Sequence, residues 1–153
     1  MQTLNLPTAE LRLRETGGKP QVFDPVRKKF VSLTPEEWVR QHFIQYLIRE
    51  KKVPSSLLAV EMQLTYHRLK KRSDLVVFGR KGKPLLMVEC KAPEVPVTEE
   101  VFQQVATYNM TLKVPYLVVT NGLEHYACRI DIKGRSYRFL KEIPEYPEME
   151  AGG

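Results

Sequence analysis

Residues 72 to 93 read "RSDLVVFGRKGKPLLMVECKAP": two short apolar runs separated by the basic turn "RKGK". Runs of this length bounded by turn residues are strands, and apolar residues at consecutive rather than alternate positions predict burial on both faces of a sheet. Further strands fall at "LLAVEMQLTYH", "VPYLVVTNG", "HYACRID" and "SYRFLKEI". Two helices are marked by their starts. In "LTPEEWVRQHFIQYLIREK", Thr34 stands as N-cap, Pro35 takes the first helical position and Glu37 follows three residues after the cap, which predicts a helix over 35–51 opened by a capping box. In "TEEVFQQVATYNMTL", Thr98 is the cap and two acids occupy the first turn.

The element order is therefore helix, three strands, helix, then about three strands. The apolar run after the second helix suits parallel pairing after a crossover, so the fold class is α/β or α+β, with a central mixed β-sheet flanked by helices. Residues 1–30 are expected to form an N-terminal extension packed on the core, 31–143 the main domain and 144–153 a loose tail.

The ends of the two central runs carry charges. Side chains alternate across a strand, so Glu89 and Lys91 share a face. With "RKGK" as the turn, Gly79 faces Pro84, and counting outward pairs Phe78 with Leu85, Val76 with Met87 and Asp74 with Glu89. Opposed acids at the end of a buried sheet repel and are poorly solvated, so a cation belongs between them. A divalent metal meets that need, because hard oxygen ligands suit Mg²⁺, and Lys91 is then left to act on a phosphate. The plain alternative is that both acids end their strands in solvent, with Arg72 and Lys91 as cross-strand partners, and a shift of register by one residue would also separate the acids by face; the spacing leaves these arrangements open.

Composition narrows the field. The 153 residues, 42% of them hydrophobic, fit one domain, and a net charge of +6 favours a polyanionic partner. No apolar run approaches the roughly 18 residues of a membrane span, and the N-terminus lacks the apolar core of a signal peptide, so a cytoplasmic location is expected. Cys90 and Cys128 show no paired spacing, which excludes a disulfide framework or a structural zinc site of ordinary pattern. There is no internal repeat.

"SD" at Ser73 and Asp74 followed by "ECK" at Glu89 to Lys91 resembles the PD-(D/E)XK nuclease superfamily, with serine where the superfamily name has proline. "TPEEWVRQHFI", "RSDLVVF", "PLLMVECKAP", "QVATYN" and "VTNG" are similar to the N-terminal nuclease domain of type I restriction enzyme R subunits, over residues 30 to 125. The resemblance implies a restriction-endonuclease-like core that hydrolyses DNA with Mg²⁺, for which Mn²⁺ can substitute. It implies Asp74, Glu89, the main chain of Cys90 and Glu37 as metal ligands, with Glu36 as the alternative to Glu37. Lys91 becomes the catalytic lysine, and Gln104 and Tyr108 of "QVATY" stand at the edge of the active site.

Arg40, Lys70, Lys71 and Arg72, with Arg80, Lys81 and Lys83, are candidates for a DNA track. The sequence holds no Walker A pattern, so a partner subunit is expected to supply translocation or site recognition, and a homodimer would supply the two sites of a double-strand cut. The alternatives are a non-catalytic DNA-binding or assembly module that keeps the nuclease fold, and a junction resolvase.

Overall fold

A computed structural model describes residues 1–131, 133 and 135–152. The N-terminal part forms a small antiparallel sheet of β1 (Leu13–Thr16), β2 (Lys19–Asp24) and β3 (Lys29–Ser32). Ahead of it, Leu4 reaches the main core. It fits only because residue 122 is glycine: Gly122 has φ +87°, and a Cβ there would lie 2.8 Å from Leu4 Cδ2.

Helix α1 (Pro35–Arg49) starts where the sequence places it, two residues short of its predicted end. Thr34 is extended and its hydroxyl accepts the Glu37 amide at 3.0 Å. The reciprocal half of the expected capping box is absent, because the Glu37 carboxylate turns to Arg27, Arg40 and Gln41. Charge-assisted bonds to two guanidinium groups outweigh one bond to a backbone N–H.

The main sheet has six strands: β4 (Leu58–Tyr66), β5 (Leu69–Phe78), β6 (Pro84–Cys90), β7 (Tyr116–Thr120), β8 (His125–Asp131) and β9 (Ser136–Leu140), in spatial order β4-β5-β6-β7-β8-β9. Among the described residues, only β6 and β7 pair in parallel, and helix α2 (Glu99–Leu112) makes the crossover between them. Leu75, Val77, Leu86 and Val88 face α1, packing with Val39, Phe43 and Leu47, while Val76 and Met87 pack with Leu112 at the end of α2. The central strands are thus buried on both faces, as their unbroken apolar runs require.

The hairpin register agrees with the count from the sequence at Val76 with Met87, but not at the turn. A bulge between Val77 and Phe78 sets Phe78 opposite Pro84 rather than Leu85. Proline has no N–H for the ladder, and the turn closes instead through Gly79 N–H to Lys83 O at 2.8 Å, with Gly82 at φ +85°.

The residues expected as a loose tail are also placed differently. Tyr146–Gly152 form helix α3, with Tyr146 and Met149 buried in the core and the Tyr146 hydroxyl donating to Phe78 O at 3.0 Å. A spacing of three puts both side chains on one helical face, a signal too short to stand out among the surrounding acids and prolines. Gly153 lies outside the described residues. Among the described residues, no helix is long and apolar enough to cross a membrane.

Candidate functional site

Backbone pairing between β5 and β6 ends at Leu75 with Val88. Cys90 N–H still needs an acceptor on the β5 side, and the Asp74 side chain provides it: Oδ2 accepts that amide at 2.7 Å. Arg40 Nη1 from α1 lies 3.3 Å from Oδ1. Burial raises the Asp74 pKa, and the Cys90 amide, Arg40, Lys91 and Lys71 pull against it without cancelling it. The Cys90 thiol itself is buried in the core, and burial pushes its pKa well up, so it is not a nucleophile.

Glu89 stands at the same end of the sheet. Its pKa is raised by burial and then by the charge of Asp74, which places the two acids in electrostatic contact. Lys71 Nζ pairs with Glu89 Oε1 at 3.3 Å and pulls its pKa down against burial, yet this buried oxygen has no well-aligned hydrogen-bond donor. Lys71 also lies over the Tyr108 ring, 5.5 Å from its centroid. Lys91 closes no ion pair among the described residues, yet its charge lowers the proton affinity of Asp74, Glu89 and Glu36. Its own amide donates to Thr120 O at 2.8 Å, which fixes the chain where it leaves β6.

Among the described residues, no three His, Cys, Asp or Glu side chains form a ready-made metal cage. Two carboxylates with one unsatisfied buried oxygen fit Mg²⁺, which keeps several of its waters, better than an ion needing a full protein shell.

The family model of the type I restriction enzyme R protein N terminus matches residues 35–144. The chain belongs to that family. Its fold is similar to the solved fragment of a protein described as an HsdR subunit of a type I restriction enzyme from Vibrio vulnificus YJ016, with a TM-score of 0.54 and 21% identity over 76% of this chain. The chain spans 24% of that fragment. No curated protein matches it.

Within this R-protein N-terminal domain, the residues singled out from sequence are not all together. Asp74 meets the main chain between Glu89 and Lys91 through the Cys90 amide, and Glu89 is linked to Tyr108 through Lys71. Gln104 and Tyr108 line a groove on α2 with Leu69, Thr107 and Thr111.

Two assignments are corrected. Both Glu37 oxygens are taken by Arg40, at 2.6 and 2.9 Å, and further by Arg27 and Gln41, each at 3.0 Å, so this acid is engaged as a structural anchor and not as a free ligand. The neighbouring α1 acid, Glu36, is exposed, and its pKa is raised by partial burial and then by the charge of Asp74. Arg40, read as a DNA contact, is buried between Glu37, Glu61 and Asp74. Burial opposes its charge, but the bond to Glu37 and the charges of Glu37 and Asp74 prevail and raise its pKa.

The residues missed in the sequence belong to this buried network. Arg27 Nε bonds Asp24 at 2.6 Å, its Nη2 reaches Glu37, and Glu61 ties to Arg40 and Arg72. Asp24 also accepts the amides of Val26 and Arg27, forming an Asx-type turn that aims Arg27 into the cluster. Only the turn composition "DPVR" hints at this, and nothing in it names the partners.

Proposed function

We propose that this domain is a metal-dependent DNA endonuclease of PD-(D/E)XK type, acting within a type I restriction assembly in which other subunits supply translocation and site recognition. The observation that supports the reading is the hydrogen bond from the Cys90 amide to Asp74, which sets this carboxylate beside the main chain between Glu89 and Lys91 at one end of the central hairpin. Asp74 and Glu89, joined by the main chain at Cys90 and by Glu36, would hold Mg²⁺. When bound, that ion supplies positive charge to a phosphodiester and acidity to water.

The chain's own residues do the positioning. The Cys90 amide and Arg40 hold Asp74 in one orientation. Lys91, free of ion pairs among the described residues, presents its ammonium to the scissile phosphate and offsets charge that builds there during attack. Lys71 holds Glu89 from one side and the Tyr108 ring from the other, leaving Gln104 and Tyr108 to contact phosphate along α2. A double-strand cut requires two such sites, met by pairing of two copies on DNA.

Titration calorimetry with Mn²⁺, combined with plasmid nicking, tests the reading on the wild type, Asp74→Asn and Lys91→Ala. Wild type should bind and nick, Asp74→Asn should do neither, and Lys91→Ala should bind metal but fail to nick. Nicking by Asp74→Asn at the wild-type rate would sink the proposal.

A second reading, a non-catalytic DNA-binding or assembly module, is favoured by one feature: Arg40 and Lys71 already offset both acids. A wild type that binds DNA but no metal would establish it.

A further inference from the structure

Strand β5 outruns one of its partners. It pairs with β6 only over Leu75 to Phe78, whereas β4 follows it from Leu58 to Tyr66. Residues 62–72 therefore project past β6 as a two-stranded ribbon, closed by His67 and Arg68, with His67 at φ +56°. One face of the ribbon, Leu64, Tyr66 and Leu69, packs against the cluster of Leu112 and Val114. Lys71 is on this side as well, committed to Glu89 and Tyr108.

The other face is exposed and chemically uniform. Its cross-strand pairs are Gln63 with Arg72 and Thr65 with Lys70, and Arg68 adds a further cation at the turn. Residues 62–72 contain four Lys and Arg and no Asp or Glu. Arg72 is tied to Glu61 at 2.8 Å, while Arg68 and Lys70 close no ion pair among the described residues. Like charges on neighbouring positions repel, so this face costs stability until an anion covers it.

The composition selects among anions. Protein interfaces are built on aromatic and apolar anchors and are poor in lysine, whereas Lys, Arg, Gln and Thr side chains are the donors that hold phosphate oxygens. The geometry selects the place. Lys70 is four residues from Asp74 on the same strand, about 13 Å at the rise of an extended chain. Phosphates of one strand follow every 3.4 Å or so along a duplex axis, so a duplex seated at Asp74 brings phosphates about four steps away under Lys70.

We propose that the outer face of the β4–β5 ribbon, through Arg68, Lys70 and Arg72, grips the phosphate backbone of duplex DNA to one side of the Asp74–Glu89 site. The inference rests on reading that site as one that acts on DNA, but it is tested without cleavage. Binding of a fluorescent duplex oligonucleotide is measured by anisotropy in EDTA over a series of KCl concentrations. The proteins are wild type, an Arg68→Gln/Lys70→Gln variant, and a Lys19→Gln/Lys29→Gln variant that removes equal charge from the N-terminal sheet.

Each lost phosphate contact lowers the steepness of log K against log salt by about 0.9, so the ribbon variant should fall short of wild type by about 1.8 and the other variant should match it. A ribbon variant with the wild-type slope, an equal loss in both variants, or no duplex binding by wild type would each overturn the proposal. So would competition by polyglutamate as effective as by unlabelled duplex, which would assign the face to an acidic protein. Plasmid nicking in Mg²⁺ on the same samples separates the two readings. Ribbon-dependent binding without nicking removes only the enzyme, and nicking with an unaltered slope removes only the grip.

Discussion

The Asp74 carboxylate accepts the Cys90 amide at 2.7 Å and so continues, with a side chain, the ladder that β5 and β6 leave after Leu75 and Val88. One group therefore serves the fold and the site at once. Asp74→Asn keeps an oxygen for that amide, whereas Asp74→Ala leaves it without an acceptor at a cost of about 1–3 kcal/mol. Urea denaturation should show the alanine variant destabilised by that amount and the asparagine variant by less. Equal losses would mean that the amide finds another acceptor.

Arg40 is enclosed by Glu37, Glu61 and Asp74. Arg40→Met strands carboxylates that remain buried, and removing one partner of such a cluster costs roughly 3–5 kcal/mol. Combining it with Glu37→Gln should recover part of the loss, which a double-mutant cycle in denaturant would read as coupling. Strict additivity of the two changes would contradict the network.

Acid should expose Glu37. Burial raises its pKa, but the hydrogen bonds from Arg40, Gln41 and Arg27 prevail and bring it to about 2. A folded pKa below the unfolded one gives stability that is complete above the ordinary value of 4.5 and disappears as pH falls toward 2. Thermal denaturation across that window should decline more gently for Glu37→Gln than for wild type. Parallel declines would assign the acid limb elsewhere.

Glu89 carries the opposite sign. Its folded pKa is raised, by burial and then by Asp74, so the fold loses stability as pH climbs from 4.5 through the raised value. The stability of Glu89→Gln relative to wild type should therefore improve from pH 4 to pH 7, while any gain in melting temperature from Mn²⁺ disappears. A relative stability that falls over the same range would show that the Lys71 pair outweighs burial.

The C-terminal helix should behave as core. Met149 is fully buried, and Met149→Ala removes its packing at a cost of about 2–5 kcal/mol. Chemical denaturation measures it; a change below about 0.5 kcal/mol, the range of surface substitutions, would return these residues to the status of a tail.

Much of this was legible in the chain. The unbroken apolar runs of β5, β6 and β7 announced strands covered on both sides, and Thr34 and Thr98 marked the helix starts correctly because a cap is a local interaction. Asp74, Glu89 and Lys91 could be singled out as candidates because alternation along a strand converts spacing into position. Arg27, Asp24 and Glu61 were not, since their contacts cross from the N-terminal sheet and β4 to α1 and no periodicity links segments that far apart. Glu37 and Arg40 were misread for a related reason: a side chain three residues from a cap, or a cation on a helix, has local roles that a distant buried counter-charge overrides.

The order of strands in the main sheet repeats their order in the chain. A ribosome delivering this domain from its N-terminus supplies each strand beside one already made, and no strand is ever inserted between two that have paired. The hairpin that joins the segments bearing Asp74 and Glu89 is complete before α2 has been synthesised, so both acids are available before the second half of the sheet exists. The charge of Asp74 is met at that stage by α1, whose Arg40 has emerged earlier still. Assembly can thus proceed in the direction of translation, with the counter-charge in hand before the charge it must balance.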